Sequence, residues 1–284
     1  MNDTILEVKD LSFRYRGAKR KAFQHISFDV RKGEFFCIVG ANGSGKSTLC
    51  NALVGLIPFY FEGRMKGDVF INGKNTKESS IAELSSEIGL VFQNPFNQLS
   101  YTAGTVEEEL AYGLGNKGIP REEMKKRVAK VAKMMRIDHI INKNPLELSG
   151  GQVQRVAFGS TFIMEPEILV LDECTTQLDP LGSEEIFDIV KDLNKNGITV
   201  IMVDHDMERV ARCANRILVL EDGNQVAIDT PEKIFGNPDM VAHQIDVPDY
   251  VSICQELKNR GLFKGEVEVE EEPTIQAVKE ALKV

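Results

Sequence analysis

Hydrophobic residues alternate with polar ones from Ile5 to Val30: Leu6 and Val8, then Leu11, Phe13 and Tyr15, then Phe23, Ile26, Phe28 and Val30. A period of two predicts strands, and the polar segment 16–21 reads as the turn between them. Phe35-Phe36-Cys37-Ile38-Val39 is an unbroken apolar run and predicts a strand buried on both faces, while residues 48–54 read as the first turns of a helix. Asp68-Val69-Phe70-Ile71 is a further strand, closed by the hairpin signal Asn72-Gly73. An antiparallel sheet is therefore expected around residues 5–75. From about Gly104 to Glu165 the pattern turns helical. Thr105-Val106-Glu107-Glu108 reads as a capping box, and Pro120 opens a helix with Met124, Val128, Val131 and Met135 on one face. Strands then alternate with helices. Residues 168–171, 198–203 and 217–220 read as strands, and Asp179-Pro180 starts a helix with Ile186, Ile189, Val190 and Leu193 inward that ends near Gly197. That alternation predicts a parallel sheet covered on both faces. Beyond about Pro238 the pattern weakens to a helix around Tyr250–Arg260 and an acidic run from Glu266 to Glu272, an appended region. No internal repeat is visible.

Composition changes this picture little. The 284 residues are 42% hydrophobic and 27% charged, an ordinary globular balance. The net charge of -9 and the lack of a long basic run argue against a nucleic-acid partner. The five cysteines are widely spaced with no CxxC pair, which predicts reduced thiols in a cytoplasmic setting. No signal peptide is visible at the polar N-terminus, and no run approaches the roughly 18 apolar residues of a membrane span. Work at a membrane would need a partner.

The candidate chemistry starts at Gly40-Ala41-Asn42-Gly43-Ser44-Gly45-Lys46-Ser47, which fits the phosphate-loop pattern G-x-x-x-x-G-K-[ST]. Its setting between a strand and a helix is the one the motif needs. The glycines let successive N–H groups face one concavity, and the helix N-terminus adds positive potential. Lys46 is then placed to reach the β- and γ-phosphates and Ser47 to ligate Mg²⁺. The second candidate is Leu148-Ser149-Gly150-Gly151-Gln152, an anion-binding nest or a plain helix N-cap. The third is Asp172-Glu173, at the end of an apolar strand. Asp172 can hold Mg²⁺ through a water, and Glu173 can orient and deprotonate an attacking water. The fourth is His205, at the end of the strand at 198–203; a lone histidine is usually structural, but its place beside a phosphate site favours function.

In that order these motifs resemble the ATP-binding cassette (ABC) ATPases, over roughly Ile5 to Phe235. The resemblance implies an α/β fold: a P-loop NTPase, RecA-like, with a parallel-sheet core, an antiparallel β subdomain, a helical signature subdomain and a small C-terminal extension. The implied bounds are 1–236 for the nucleotide-binding domain, about 97–165 for its helical subdomain and 237–284 for the extension, a dimerisation region. It implies that Tyr15 stacks on adenine, against the alternative of a strand residue packed inward. It also places Thr48 among the ATP-binding residues, Gln93 on Mg²⁺ and next to the membrane partner, and Thr176-Gln177-Leu178-Asp179 across a dimer interface. By the same resemblance His205 contacts the γ-phosphate, and residues 148–152 close on the ATP of a second subunit.

Val91-Phe92-Gln93-Asn94-Pro95-Phe96-Asn97-Gln98, the segment 105–114 and the tail 273–278 are similar to the energy-coupling factor (ECF) transporter ATPases. Phe96, where that family often has Asp, and Cys174, where Pro or Ala is common, depart from it without removing a catalytic group. The ECF resemblance implies an ATPase on the cytoplasmic face of the cell membrane, using ATP and Mg²⁺ and paired with a second ATPase, as a homodimer or a related heterodimer. It would drive a transmembrane coupling protein and a substrate-binding membrane protein that import a vitamin or a transition-metal ion. The alternatives are another type of ABC transporter, or a soluble ABC ATPase acting on nucleic acid or ribosomes.

Overall fold

The computed structural model describes residues 3–176, 178–263, 265, 268–269 and 271–282. The strands are β1 Thr4–Tyr15, β2 Phe23–Arg31, β3 Phe35–Val39, β4 Gly63–Ile71, β5 Lys74–Asn75, β6 Ile88–Val91, β7 Ile168–Asp172, β8 Thr199–Val203, β9 Arg216–Glu221 and β10 Asn224–Asp229. The helices are α1 Lys46–Leu53, α2 Ile81–Glu87, α3 Val106–Asn116, α4 Arg121–Met134, α5 Gly150–Phe162, α6 Pro180–Lys195, α7 Met207–Cys213, α8 Pro231–Gly236, α9 Asp249–Asn259 and α10 Glu271–Leu282.

Two sheets result. The first has the order β2-β1-β4-β5 with antiparallel pairs, as the alternation predicts. Its β4–β5 connection is Asn72-Gly73 with φ of +49° and +78°, the left-handed pair that a two-residue hairpin demands. The second has the order β10-β9-β3-β8-β7-β6. Every neighbouring pair from β9 to β6 is parallel, as expected, and β10 adds an antiparallel edge strand beside β9.

The central strands β3, β7 and β8 are buried at every residue. Alternate side chains serve two cores, as a sheet covered on both faces requires. Phe36 and Ile38 of β3 join β1, β2 and α1 on one side. Phe35, Cys37 and Val39 join the cluster that includes Leu110 of α3, Val131 of α4, Val156 of α5 and Ile186 of α6. Where α5 crosses its neighbours, Gly159 lets them approach: a Cβ there would lie 3.0 Å from Val131 Cγ1 and 3.1 Å from Leu110 Cδ2.

Some local readings need correcting. The Thr105 box is half made: Thr105 Oγ1 accepts from Glu108 N at 3.2 Å, but Glu108 Oε2 turns to Gly104 N at 2.7 Å instead of the cap. The acidic run at 266–272 lies partly outside the described residues, yet its end opens α10, a helix the charge pattern hid. Among the described residues no helix is long and apolar enough to cross a membrane.

The strand order matters for function. β6, β7, β8 and β3 are successive neighbours, so the loops leaving their carboxyl ends share one rim, where ligands of open α/β sheets bind.

Candidate functional site

β3 delivers the chain into the loop 40–45, and α1 begins at Lys46. Two glycines are there for reasons of space. Gly40 has φ +148°, and a Cβ on it would lie 2.1 Å from Leu220 O; Gly45 has φ +103°, and its Cβ would lie 2.5 Å from Ala22 O. The loop is thus clamped between β9 and the start of β2, with no side chain capping α1. The uncapped N–H groups at that end are free for an anion. Lys46, only 4% exposed, folds its ammonium onto Gly40 O at 2.7 Å and Ala41 O at 3.1 Å. Burial lowers its pKa, while Glu173 and Asp172 pull the other way. A hollow of about 250 Å³ opens over the loop, lined by Ala22, Asn42, Gly43, Gly45, Lys46, Ser47, Thr48, Gln93 and Glu173.

The acids stand on the next strands. Asp172 ends β7, and its Oδ1 accepts from Ser47 Oγ at 3.1 Å. Burial pushes its carboxyl up to about 6, against the opposing pull of the Ser47 hydrogen bond. Glu173 has φ +48°, a left-handed conformation that a glutamate adopts only when its surroundings hold it. Its N–H is fixed to Val203 O of β8 at 3.1 Å. Its carboxylate then meets two other loops: Oε1 lies 2.7 Å from His205 Nε2, and Oε2 accepts from Gln93 Nε2 at 2.5 Å. One carboxylate thereby ties together the ends of β6, β7 and β8.

The raised pKa of Asp172 has a measurable consequence for the nucleotide-free protein. The folded state holds this proton up to about pH 6, whereas the unfolded chain releases it near 3.8. Stability from this group is therefore present below the unfolded value and falls as pH rises through that window. Asp172→Asn removes the penalty, so at pH 7.5 the variant is expected to be more stable by on the order of 2–3 kcal/mol. At pH 4 the difference closes. Thermal melts at the two pH values check this; a variant less stable than the parent at pH 7.5 contradicts it.

The other sequence candidates divide. Tyr15 is half-buried, packs edge-on against Phe13 with centroids 4.8 Å apart, and exchanges a hydrogen bond with Thr48 Oγ1 at 3.1 Å. It also lines a cavity of about 490 Å³ with Arg14, Gly17, Pro58 and Arg64. The ring therefore combines inward packing with an open flank. Leu148-Ser149-Gly150-Gly151-Gln152 contributes nothing to the hollow over the phosphate loop. Ser149 instead caps α5 in a full capping box, with Gln152 N to Ser149 Oγ at 3.4 Å and Ser149 N to Gln152 Oε1 at 3.1 Å. Asp179 caps α6 through Gly182 N at 2.6 Å. Gln177 lies outside the described residues. Arg209, which no motif singled out, is 6% exposed and joins the loop after β7 to the loop after β8.

A phosphate loop between a buried strand and a helix, with acids at the end of a neighbouring strand, defines a P-loop ATPase of the α/β class. The ABC transporter family matches residues 23–176. The chain is 40% identical over 275 residues to the energy-coupling factor transporter ATP-binding protein of Bacillus subtilis (strain 168), covering 96% of this chain and 95% of that one. It is 44% identical over 265 residues to an ABC transporter ATP-binding protein of Pyrococcus horikoshii, covering 93% of each. Among solved structures it resembles cbiO1 from Clostridium perfringens, part of the ABC transporter complex cbiONQ, with TM-score 0.71, 31% identity, 91% of this chain covered and 98% of that one. It also resembles a dimeric ATP-binding cassette bound to ADP and Pi in a post-hydrolysis state, with TM-score 0.70, 30% identity and 80% and 98% coverage. The chain belongs to the ABC transporter ATP-binding family and is an ABC ATPase whose hydrolysis of ATP is coupled to transport.

Proposed function

We propose that the chain is an ATP-hydrolysing subunit of an energy-coupling factor importer that takes up a vitamin or a transition-metal ion. The observation that carries the catalytic part is the convergence of Gln93, Glu173 and His205 beside the hollow over the phosphate loop. The importer type rests on identity to ECF ATP-binding proteins across nearly the whole chain. We read 1–236 as the nucleotide-binding domain, about 97–165 as its helical subdomain and 237–284 as the dimerising extension.

In this reading residues 40–48 cradle the phosphates with their N–H groups, Lys46 transfers its ammonium from the loop carbonyls to phosphate, and Tyr15 offers its open flank to adenine. Ser47, Gln93 and Asp172 offer only oxygen donors, Asp172 being a buried carboxylate that hydrogen-bonds Ser47, and such a set fits Mg²⁺, which Ser47 and Gln93 would hold directly and Asp172 through a water. Mg²⁺, when bound, neutralises charge on those phosphates. Glu173 takes the proton of the attacking water, and His205 holds the γ-phosphate while steering that carboxylate. Leu148–Gln152 point their nest at the ATP of a second ATPase, and Asp179 lies on the loop that crosses to it. The assembly sits on the cytoplasmic face of the membrane, against a transmembrane coupling protein and a substrate-binding membrane protein.

Tagged full-length chain, purified from its own membranes in mild detergent, is expected to bring down small hydrophobic membrane proteins and a second ATPase. Recovery in a ribosome or DNA complex instead would overturn the importer reading.

A further inference from the structure

The buried side chain of Arg209 does something that the proposed chemistry leaves unaccounted for. It rises from the first turn of α7, four residues beyond His205, and reaches back across the histidine loop. Nη1 donates to Asp204 Oδ2 at 2.9 Å and to Thr175 Oγ1 at 3.3 Å; Nη2 donates to Ser183 Oγ at 3.0 Å and to Glu184 Oε1 at 3.3 Å. Asp206 Oδ2 stands 3.5 Å from Nη2, and the guanidinium lies over the Phe187 ring at 5.3 Å. Asp204, immediately before His205, uses its other oxygen on the backbone: Oδ1 accepts from His205 N at 2.7 Å and from Asp206 N at 3.0 Å. Thr175 follows Glu173 by two residues. One planar cation therefore grips the loop that carries the carboxylate and the loop that carries the imidazole, at a point behind their 2.7 Å contact.

We propose that Arg209, acting through Asp204, is a positioning residue that sets the distance and direction of His205 toward Glu173. This rests on the reading of Glu173 and His205 given above. The fork matters: a guanidinium can satisfy Asp204, Thr175 and Ser183 from fixed directions at once, and a single ammonium cannot. Without it, Asp204 keeps a largely buried charge with no cation and releases the two N–H groups that shape the turn into His205.

The test uses the full-length chain and three substitutions: Arg209→Met, which keeps the stem, Asp204→Asn, and His205→Ala. In Arg209→Met, kcat for Mg-ATP is expected to fall about 10- to 100-fold with KM changed less than about threefold, because the nucleotide cradle is untouched. Asp204→Asn should lose a similar factor, and Arg209→Met should add almost nothing in the His205→Ala background, since groups acting as a unit are not additive. Arg209→Lys should recover only part of kcat. Hydrogen exchange at the N–H groups of His205 and Asp206 should quicken in Arg209→Met at a temperature where the protein stays folded. That readout needs no turnover. A parental kcat in Arg209→Met while His205→Ala is slow overturns the inference and spares the catalytic reading. Parental turnover in His205→Ala overturns the catalytic reading itself. A factor for Arg209→Met that persists in full beside His205→Ala, or unchanged exchange at 205 and 206, also overturns the inference.

Discussion

Glu173→Gln should stop turnover while leaving the nucleotide bound. The substitution keeps the shape of the side chain. Its carbonyl oxygen can still accept from Gln93 Nε2, and its amide can donate to a neutral His205, so the three loops stay tied. What disappears is the ability to take a proton from water. General-base catalysis is worth roughly 10²–10⁴-fold, so steady-state ATPase activity is expected to fall by at least about 100-fold. Removing a negative charge beside the hollow should leave Mg-ATP affinity equal or tighter. In the proposed dimer ATP would persist between subunits once hydrolysis is blocked, and light scattering with Mg-ATP is expected to show a mass twice that of the chain without nucleotide if two copies pair. Near-parental turnover would sink the assignment of Glu173. Lost turnover with an unchanged mass would keep the assignment and point to a different ATPase as the partner.

The site was legible in the sequence to the extent that each part sits within a few residues of a buried strand. Phe35–Val39, Ile168–Asp172 and Thr199–Val203 are apolar because both faces are covered, and the residues that leave them are the loop at 40, Asp172-Glu173 and His205. What escaped notice had weak local signals. β6 is four residues long and contains Gly89, where a Cβ would meet Thr161 Cγ2 at 2.6 Å; a strand with a gap for its neighbour shows little alternation. β10 is only half-buried along most of its length because it lies at an edge, and its apolar residues Val226, Ala227 and Ile228 are consecutive between polar ends, so no alternation marks it as a strand. Arg209 belongs to no motif and carries no local signal in the sequence. Its partners Thr175, Ser183 and Asp204 come from two loops and a helix, and only the fold assembles them. Ser149 is a different case. The sequence offered a cap and a nest, and the single chain displays the cap, with Ser149 Oγ accepting from Gln152 N; the nest is part of the proposed function alone.

Lys46→Ala should weaken nucleotide binding by about 100-fold or more with no loss of fold. The ammonium is buried and bonded to two loop carbonyls, and burial already works against its charge. Its charge is therefore costly where it lies, offset in part by Asp172 and Glu173, and phosphates in place of the carbonyls would return that cost. Removing it deletes a charge-assisted contact to at least one phosphate and leaves Asp172 and Glu173 facing an anion with no lysine between. The expected loss of ATP affinity is about 100-fold or more, equivalent to some 3 kcal/mol. Ligand-induced stabilisation makes this visible without turnover. At ATP equal to 100 times its Kd, the parent gains about 2.7 kcal/mol, or roughly 5–10 °C in Tm for a chain of this size. Lys46→Ala at the same ATP concentration should show a shift of at most about 1–2 °C, while its own Tm without nucleotide stays within a few degrees of the parent. A full thermal shift in the variant would mean that the phosphates do not rest on this loop. A collapse of the nucleotide-free Tm would mean that Lys46, through its bonds to Gly40 O and Ala41 O, holds the loop together.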